Sequence, residues 1–220
     1  NHADFGLGTW YPKGGFNAVA LGMVELAKEL GVKFLINQEV IEIETENNIA
    51  KRVKTSTDIF EADLVISGAD YAHTEKLLKQ NEKNYNEDYW QKKVFAPSSF
   101  LYYVAFDCKV PELQHHNLFF DTDFGQHAID IYDEPKLPKK PLFYANFSSK
   151  TDLDLCPEGK ETGFFLIPVA VDLDDNQEIH DAYFELIMAR IEKNIGVDLQ
   201  NSVLFKKSFG IKDFKERYNS

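Results

Sequence analysis

The sequence predicts an α+β fold in which an antiparallel or mixed sheet is backed by helices, with a small β-meander beside it. Two observations predict this class. From residue 98 onward, five strand-like segments outnumber one long helical segment and do not alternate regularly with helices, which favours an antiparallel sheet. Before them, residues 40–60 contain short alternating segments joined by Asn47-Asn48, a hairpin signal.

The first seventy residues are organised around residues 8–15, Gly-Thr-Trp-Tyr-Pro-Lys-Gly-Gly. Apolar residues at helical spacing predict a helix over residues 16–30, and Gly31 is a suitable residue to end it. A glycine pair before a helix leaves backbone N–H groups free where a ligand can come close. The same pair also suits an ordinary turn, so both interpretations stay open.

After this helix the sequence predicts strands over residues 32–36, 40–46, 49–55 and 58–61. Residues 64–67 are apolar on both sides, as expected of a strand in a buried parallel sheet. We therefore expect the chain to return here to the sheet of another domain, and to end that strand in the small-residue turn Gly68-Ala69-Asp70. This places a boundary after residue 70, with residues 1–70 as one unit and 71–220 as the other.

The second unit is predicted to contain helices and the main sheet. Helices are predicted over residues 71–80 and 87–93, and a long helix over 177–195, which Gly196 ends. The apolar stripe of the long helix is interrupted by charged Arg190. Strands are predicted over residues 99–107, 117–121, 142–148, 163–171 and 203–209.

Aromatic content, net charge and cysteine content limit the classes of function that fit this sequence. Eighteen Phe and ten Tyr predict a broad aromatic core or an apolar cavity. The net charge of −12 argues against nucleic acid and gives no attraction to an anionic membrane surface. No stretch is long and apolar enough to cross a bilayer, and no signal peptide is recognised. Cys108 and Cys156 form no CxxC motif, so we expect reduced thiols in a cytoplasmic protein.

Several motifs favour structural roles. Adjacent histidines of an extended chain point to opposite sides, so His115-His116 suits a metal site poorly, and no metal site is predicted. We expect this pair to hydrogen-bond backbone or to line the mouth of a ligand site. Asp70 is expected to cap a helix, and residues 172–178 to form a loop that caps the next one. Ser98-Ser99 lacks the context of a nucleophile, and no GxGxxG fingerprint occurs. An enzyme with this sequence would take its chemistry from a cofactor.

Taken together, the motifs resemble those of a known family. They are residues 8–16, Glu-Leu-Gly-Val at 29–32, Asn-Gln-Glu-Val at 37–40, residues 61–70, Leu-Gln-His-His-Asn-Leu-Phe-Phe at 113–120, Thr151-Asp152, Pro157-Glu158-Gly159 and Ile167-Pro168-Val169. In this order they resemble the bacterial phytoene desaturase (phytoene dehydrogenase) family. Its members are FAD-dependent carotenoid desaturases of the flavin amine oxidase superfamily.

The resemblance implies the central part of such an enzyme. The family carries an N-terminal Rossmann fingerprint and a second flavin-binding stretch near its C-terminus, and this sequence contains neither. The resemblance thus implies an apolar substrate domain, whose FAD domain lies elsewhere in the same chain. FAD is expected in the full-length enzyme and not on this chain alone, which should be inactive and colourless. A cytoplasmic location is expected, with peripheral contact of the full-length enzyme at the inner membrane face left open.

Site residues follow from the resemblance only. It implies that Lys13, Gly14 and Gly15 lie towards the flavin, Val40 near the adenine, and Gly68 and Ala69 near the dinucleotide. It also implies an apolar tunnel for a polyene, for which we predict the lining residues Phe100, Tyr102, Phe119 and Phe165. The implied reaction moves a hydride from an allylic carbon to flavin N5, with loss of a proton from the adjacent carbon. No acid–base residue is assigned.

Two alternatives remain. A related flavoenzyme could saturate or isomerise a polyene or retinoid with the same domain. From a different class, the chain could be a cofactor-free binding module that kept the fold.

Overall fold

A computed structural model of the protein describes residues 6–8 and 10–219. The N-terminal half contains a three-stranded antiparallel meander of β1 (Val40–Glu46), β2 (Ile49–Thr55) and β3 (Ile59–Glu61). Asn47 and Asn48 connect β1 to β2 with positive φ angles of 52° and 62°, which two-residue hairpin turns require. The predicted meander is confirmed.

A second sheet contains five strands, all paired antiparallel, in the order β5-β6-β7-β4-β8. Its strands are β4 (Ser98–Phe106), β5 (His116–Phe119), β6 (Phe143–Asn146), β7 (Glu161–Val169) and β8 (Val203–Phe209). Each strand predicted after residue 98 is present, and the sheet is separate from the meander. The predicted fold class is therefore confirmed.

Among the described residues, helices precede, separate and follow the strands. They are α1 (Gly15–Glu29), α2 (Tyr71–Lys76), α3 (Glu87–Gln91), α4 (Phe124–Ala128), α5 (Gln177–Ile195) and α6 (Ile211–Tyr218). A π-helical turn at Ile129–Asp133 continues α4. The long helix α5 has the predicted bounds, since the Asn176 side chain caps its start and Gly196 ends it with a φ of 70°. Sequence periodicity did not predict α4 or α6, because five and eight residues show too few turns.

The core lies between α5 and one face of the five-stranded sheet. Every second residue of β4 and β7 points into it, and Phe184, Ile187, Met188 and Ile191 meet them from α5. The Tyr102 hydroxyl donates to the carbonyl of His180 at 2.9 Å within this core. Burial raises the pKa of Tyr102, so this hydroxyl stays protonated.

The interruption of the α5 stripe by Arg190 has a structural reason. Its guanidinium contacts the Asp121 carboxylate and the Pro141 carbonyl, and it lies over the Phe143 ring, 4.9 Å from the centroid. The hydrogen bond from Arg190 lowers the pKa of Asp121. Arg190 thus ties α5 to the connection between β5 and β6.

We expect Arg190→Met to lower the free energy of unfolding by about 1–3 kcal/mol at pH 7, because the Pro141 carbonyl and Asp121 lose a charged donor. Chemical denaturation measures this. Because the folded-state pKa of Asp121 is lowered, its contribution is present above the ordinary pKa of 3.8 and is lost as the pH falls through the lowered value. The difference between the two proteins should therefore shrink in acid. Equal stability at pH 7 would contradict this role.

A large apolar surface near the N-terminus is uncovered. None of the residues of α1 is buried, and Phe16 and Met23 are 75% and 68% exposed. The strands predicted over 32–36 and 64–67 are wrong: both segments lack strand pairing to any described residue, and Ile66 is 85% exposed. A strand needs a neighbour for its backbone N–H and C=O groups. These segments have the apolar composition of buried elements, but no described residue packs over them.

Residues after the predicted boundary contact the meander. The Ile43 N–H donates to the carbonyl of Leu77 at 2.9 Å. Glu75 is buried beside it and accepts from the N–H of Asn84 at 2.9 Å and from the Trp90 indole at 3.1 Å. The boundary after residue 70 stays a prediction.

Candidate functional site

The face of the five-stranded sheet that points away from α5 is open and largely apolar, with Lys207 of β8 beside Tyr103 on it. Strand register places Leu101, Tyr103, Phe164 and Leu166 on it, one residue along from the core positions of β4 and β7. Tyr103 is 45% exposed. A sheet with one solvated face normally alternates apolar with polar residues, and these strands do not. The open sheet face therefore has the composition of a surface that binds something apolar.

A continuous row of aromatic rings crosses this face, which we call the aromatic track. It consists of Phe209, Tyr103, Phe164, Tyr144, His116, His115 and Tyr11. Successive ring centroids are 5.9, 5.2, 6.4, 5.9, 4.2 and 4.9 Å apart. These separations are within the range of aromatic contact. The track runs from the β8 edge of the sheet to the segment that precedes α1.

The two histidines of the track are stacked, which corrects the prediction that they point to opposite sides. Their ring planes differ by 24°. The reason is that β5 begins at His116, so His115 lies outside the alternation of the strand. His115 Nδ1 lies 2.6 Å from Thr151 Oγ1, and His116 Nδ1 lies 2.5 Å from the Tyr144 hydroxyl. Both rings line a pocket, and the expected role at the mouth of a ligand site stays a prediction.

The pocket that the two histidines line has a volume of about 620 Å³. The pocket is lined by Trp10, Tyr11, Lys13, His115, His116, Thr151, Asp152, Leu153 and Asp154. The N–H of Gly14 donates to Asp152 Oδ2 at 2.7 Å, and the N–H of Gly15 donates to the carbonyl of Pro12 at 2.8 Å. The N–H groups of these two glycines are therefore engaged, and the bond from Gly15 to Pro12 closes a turn, which is the other interpretation of the pair. The glycine pair instead attaches the start of α1 to this pocket.

The predicted cofactor residues share one property: all lie at the ends of the uncovered segments. Lys13 and Gly14 precede α1, Val40 follows residues 32–39, and Gly68 and Ala69 follow residues 64–67. At the start of α1, the carboxylate of Asp152 accepts from the Gly14 N–H. A Cβ on Gly68 would meet nothing within 4 Å. The contacts of these residues with a dinucleotide remain a prediction.

The four predicted tunnel residues lie on the other side of the sheet, in the core. Phe100, Tyr102 and Phe165 are fully buried and Phe119 is 7% exposed. Phe119 stacks on Phe143 with the centroids 4.3 Å apart. Their tunnel-lining role remains a prediction. Their neighbours along the same strands carry the exposed apolar surface.

Sequence reasoning missed the open sheet face and the part that Tyr11 has in the pocket. A signal was present, because Phe-Leu-Tyr-Tyr-Val-Ala-Phe at 100–106 is apolar at every position. Such a strand is covered on both faces. Nothing in the sequence pattern brings Tyr11 next to His115, since this contact joins residues far apart in the chain.

Asp70 lies at the helix start where the sequence predicts a cap. Asp70 caps α2 by accepting from the His73 N–H at 2.9 Å. Cys108 and Cys156 are free thiols. In residues 6–8 and 10–219, no group of three or more His, Cys, Asp or Glu side chains is arranged to hold a metal. No helix of the described part of the chain is long and apolar enough to span a membrane.

We expect the stability of the protein to depend on His115 below about neutral pH. Burial lowers the pKa of His115 from its ordinary 6.5, and the neighbouring His116 lowers it further. As the pH falls, His115 is protonated in the unfolded state at a higher pH than in the folded state. The stability that the neutral His115 contributes is therefore fully present above pH 6.5 and is lost as the pH falls below it. The melting temperature of wild type should fall more steeply between pH 7 and pH 5 than that of His115→Leu. Parallel curves would contradict this.

Comparison with known proteins identifies the family. The family model described as flavin containing amine oxidoreductase matches residues 1–207, and the chain belongs to this family. It is 42% identical over 221 residues to a carotenoid 3,4-desaturase of Haloarcula japonica, covering 100% of this chain and 45% of that protein. It is 32% identical over 212 residues to a zeta-carotene-forming phytoene desaturase of Myxococcus xanthus, covering 90% and 40%. The chain thus spans less than half the length of these relatives.

A solved structure supports the fold. The crystal structure of an oxidoreductase from Methanosarcina mazei matches with a TM-score of 0.64 at 20% identity, over 90% of this chain and 43% of that one. The homology to carotenoid and phytoene desaturases confirms the resemblance found in the sequence motifs.

Proposed function

We propose that this chain is the substrate-binding part of a flavin-dependent carotenoid desaturase, and that the open sheet face carries the polyene. The observation that carries the proposal is the aromatic track. Its rings cross an apolar face that α5 does not cover.

The physical fit is between two extended apolar surfaces. A conjugated polyene is long, flat and without polar groups along its length, so it gains free energy by leaving water in proportion to its buried area. Five strands spaced about 4.8 Å apart give the part of the track that crosses the sheet a length of about 20 Å. Tyr103 and Phe164 provide flat faces near its centre, with the centroids 5.2 Å apart. Such a surface orients a polyene and excludes water from it.

The flavin would be held at the uncovered segments. Gly14, Gly15, Val40, Gly68 and Ala69 are the residues that would lie along it, and the apolar residues of α1 would pack against the domain that binds it. When bound, FAD supplies the oxidising capacity, accepting a hydride from an allylic carbon. The residues of this chain bind the polyene, orient it and exclude water.

The test uses the complete protein, purified with its flavin. Mixing it anaerobically with a C40 polyene should bleach the oxidised flavin and lengthen the conjugated system by a double bond. Flavin that stays oxidised while the polyene is isomerised would instead favour the isomerase alternative. A protein that binds polyene and contains no flavin would favour the binding module.

A matched pair of variants tests the surface. Tyr103→Gln should raise the KM for the polyene about tenfold through loss of apolar contact, with little change in melting temperature. Ile49→Gln also replaces a half-exposed apolar residue, but in the meander, and should leave KM unchanged. Equal effects of the two substitutions on KM would contradict a role of the open sheet face.

We expect the 220-residue chain expressed by itself to purify colourless. The reason is that the segments predicted to touch the flavin provide only one side of its site. Absorption spectroscopy and flavin analysis of the purified chain measure this. A yellow preparation with one flavin per chain would contradict the proposed division between substrate part and flavin domain.

A further inference from the structure

Residues 10–15 connect the aromatic track to the start of α1, and we call them the connector. At one end of the connector, the Tyr11 ring packs edge-on against His115, with the centroids 4.9 Å apart. At the other end, Gly14 precedes α1 and Gly15 is its first residue. The connector therefore joins the surface proposed for the polyene to the backbone proposed to lie at the flavin.

Packing does not fix the position of α1 on the described part of the chain, because none of the residues of this helix is buried. The ion pair between Lys13 and Asp154 is weak, since its two atoms lie 3.8 Å apart and the side chains are 87% and 82% exposed. A stronger attachment is the hydrogen bond from the Gly14 N–H to Asp152 Oδ2, at 2.7 Å. This bond attaches the start of the helix.

Asp152 is itself fixed to the five-stranded sheet, and it is only 6% exposed. Its N–H donates to the Ser148 carbonyl at 3.0 Å, and its carbonyl accepts from the Leu155 N–H at 3.3 Å. The hydroxyl of the fully buried Ser149 donates to Glu161 Oε1 at 2.6 Å, at the start of β7. The Asp152 carboxylate therefore has a defined position relative to the sheet that carries the aromatic track.

The origin of the acceptor distinguishes this bond from an ordinary helix cap. An ordinary cap is a polar residue directly before the helix, and it stabilises the helix alone. Gly14 occupies that place here, and the acceptor belongs to a residue 138 positions further along the chain. A carboxylate at a helix N-terminus is favourable in either case. A cap that comes from the sheet also determines where the helix begins relative to the sheet.

We propose that Asp152 is a positioning residue for hydride transfer, because its bond to the Gly14 N–H sets the distance between the flavin at the start of α1 and the polyene on the aromatic track. This inference rests on the proposed function and adds a residue to it. Hydride transfer needs the reacting atoms about 3–3.5 Å apart, and a misplacement of about 1 Å can lower the rate about a hundredfold. Asp152 acts through the connector and is not part of the aromatic track.

Asp152→Ala in the complete protein should lower the limiting rate of flavin reduction by the polyene about tenfold to hundredfold for each bound flavin. The dissociation constant of the polyene should stay within about twofold, since the rings of the track are unchanged. Asp152→Asn keeps an acceptor oxygen at the same place and should recover most of the rate. Asp152→Glu keeps the charge but displaces the carboxylate by one methylene group, so it should also slow the reaction.

Asp123→Ala is the matched control. Asp123 caps α4 by accepting from the Gly125 N–H at 2.8 Å, so this substitution removes the same kind of hydrogen bond. Asp123 does not line the pocket to which Asp152 belongs. The control substitution should lower the melting temperature, as the loss of a cap does, and leave the rate of flavin reduction unchanged.

The experiment uses the complete protein, purified with its flavin and kept anaerobic. Stopped-flow absorbance of the flavin at several concentrations of a C40 polyene gives the limiting rate and the dissociation constant separately. Hydrogen–deuterium exchange with mass spectrometry measures the protection of the amides in residues 10–21 without turnover. Circular dichroism and flavin analysis establish that each variant is folded, and every rate is expressed per bound flavin.

The expected result for Asp152→Ala is a lower limiting rate, an unchanged dissociation constant and faster exchange in residues 10–21, with recovery in Asp152→Asn. A wild-type rate or wild-type exchange in folded Asp152→Ala would overturn the inference and leave the proposed function intact. Equal slowing in Asp123→Ala, or weaker polyene binding at an unchanged rate in Asp152→Ala, would also overturn it.

Asp152→Glu keeps the inference testable if Asp152→Ala does not fold, since a wild-type rate in Asp152→Glu would overturn it. If the polyene does not reduce the flavin of wild type, the proposed function itself fails, and the role of Asp152 in hydride transfer fails with it.

Discussion

Gly15→Val in the complete protein should lower the flavin content per folded molecule by about tenfold or more, through the combination of backbone strain and lost ligand space. Gly15 has a φ of +73°, a conformation that a β-branched residue rarely adopts. A Cβ there would lie 3.0 Å from the Tyr11 hydroxyl, so the substitution also displaces the segment that covers His115. The effect combines a changed backbone with a side chain placed where the flavin is proposed to lie.

Gly31→Val provides the matched control. Gly31 ends the same helix with a φ of +84°, but a Cβ there would meet nothing within 4 Å. Both substitutions should lower the melting temperature by strain, which costs about 1–3 kcal/mol. Only Gly15→Val should lower flavin per folded molecule. A folded Gly15→Val protein with full flavin occupancy would end the cofactor-contact proposal and leave Gly15 a structural role.

We expect Gly210→Ala to lower the free energy of unfolding by about 3 kcal/mol, near the upper end of the cost of overpacking. Gly210 precedes α6 and lies against the buried side chains of His180 and Asp175, which contact each other through Nε2 and Oδ1. A Cβ at Gly210 would lie closer than 3.0 Å to the side chains of both. Asp175 also accepts from the Lys212 N–H at 2.8 Å, so displacing it disturbs the start of α6.

Gly22→Ala is the control for this substitution. Gly22 lies within α1, and a Cβ there would meet nothing within 4 Å. Alanine favours helix over glycine by about 0.8–1.0 kcal/mol, so stability should stay the same or rise. Urea denaturation of both variants measures the difference. A Gly210→Ala protein as stable as wild type would contradict the close packing around the His180–Asp175 pair.

Sequence alone predicted the elements whose signal is local. The Asn47-Asn48 turn fixes the β1–β2 hairpin, and apolar periodicity with Asn176 and Gly196 at its ends fixes α5. The strands predicted over 32–36 and 64–67 failed for a different reason. Their apolar composition is typical of buried segments but does not determine strand formation. A strand also needs a neighbouring strand for pairing, which no described residue provides.

The candidate site was less predictable because it depends on which face of a strand is covered. Residues 100–106 of β4 are apolar at every position, so composition cannot distinguish the core face of Tyr102 from the open face of Tyr103. Only the position of α5 decides this. The stacking of His115 on His116 likewise depends on where β5 begins, which differs by one residue from the predicted start.

A crystal structure of the complete protein with bound FAD tests the proposed positions of the flavin and the polyene. We expect the backbone at Gly14–Gly15 and Gly68–Ala69 to lie within about 4 Å of the flavin dinucleotide, in ordinary van der Waals contact. We also expect Phe16 and Met23 of α1, which are exposed in the described residues, to be buried against the domain that binds FAD. FAD bound elsewhere, with α1 still exposed and the aromatic track facing away from it, would contradict these positions.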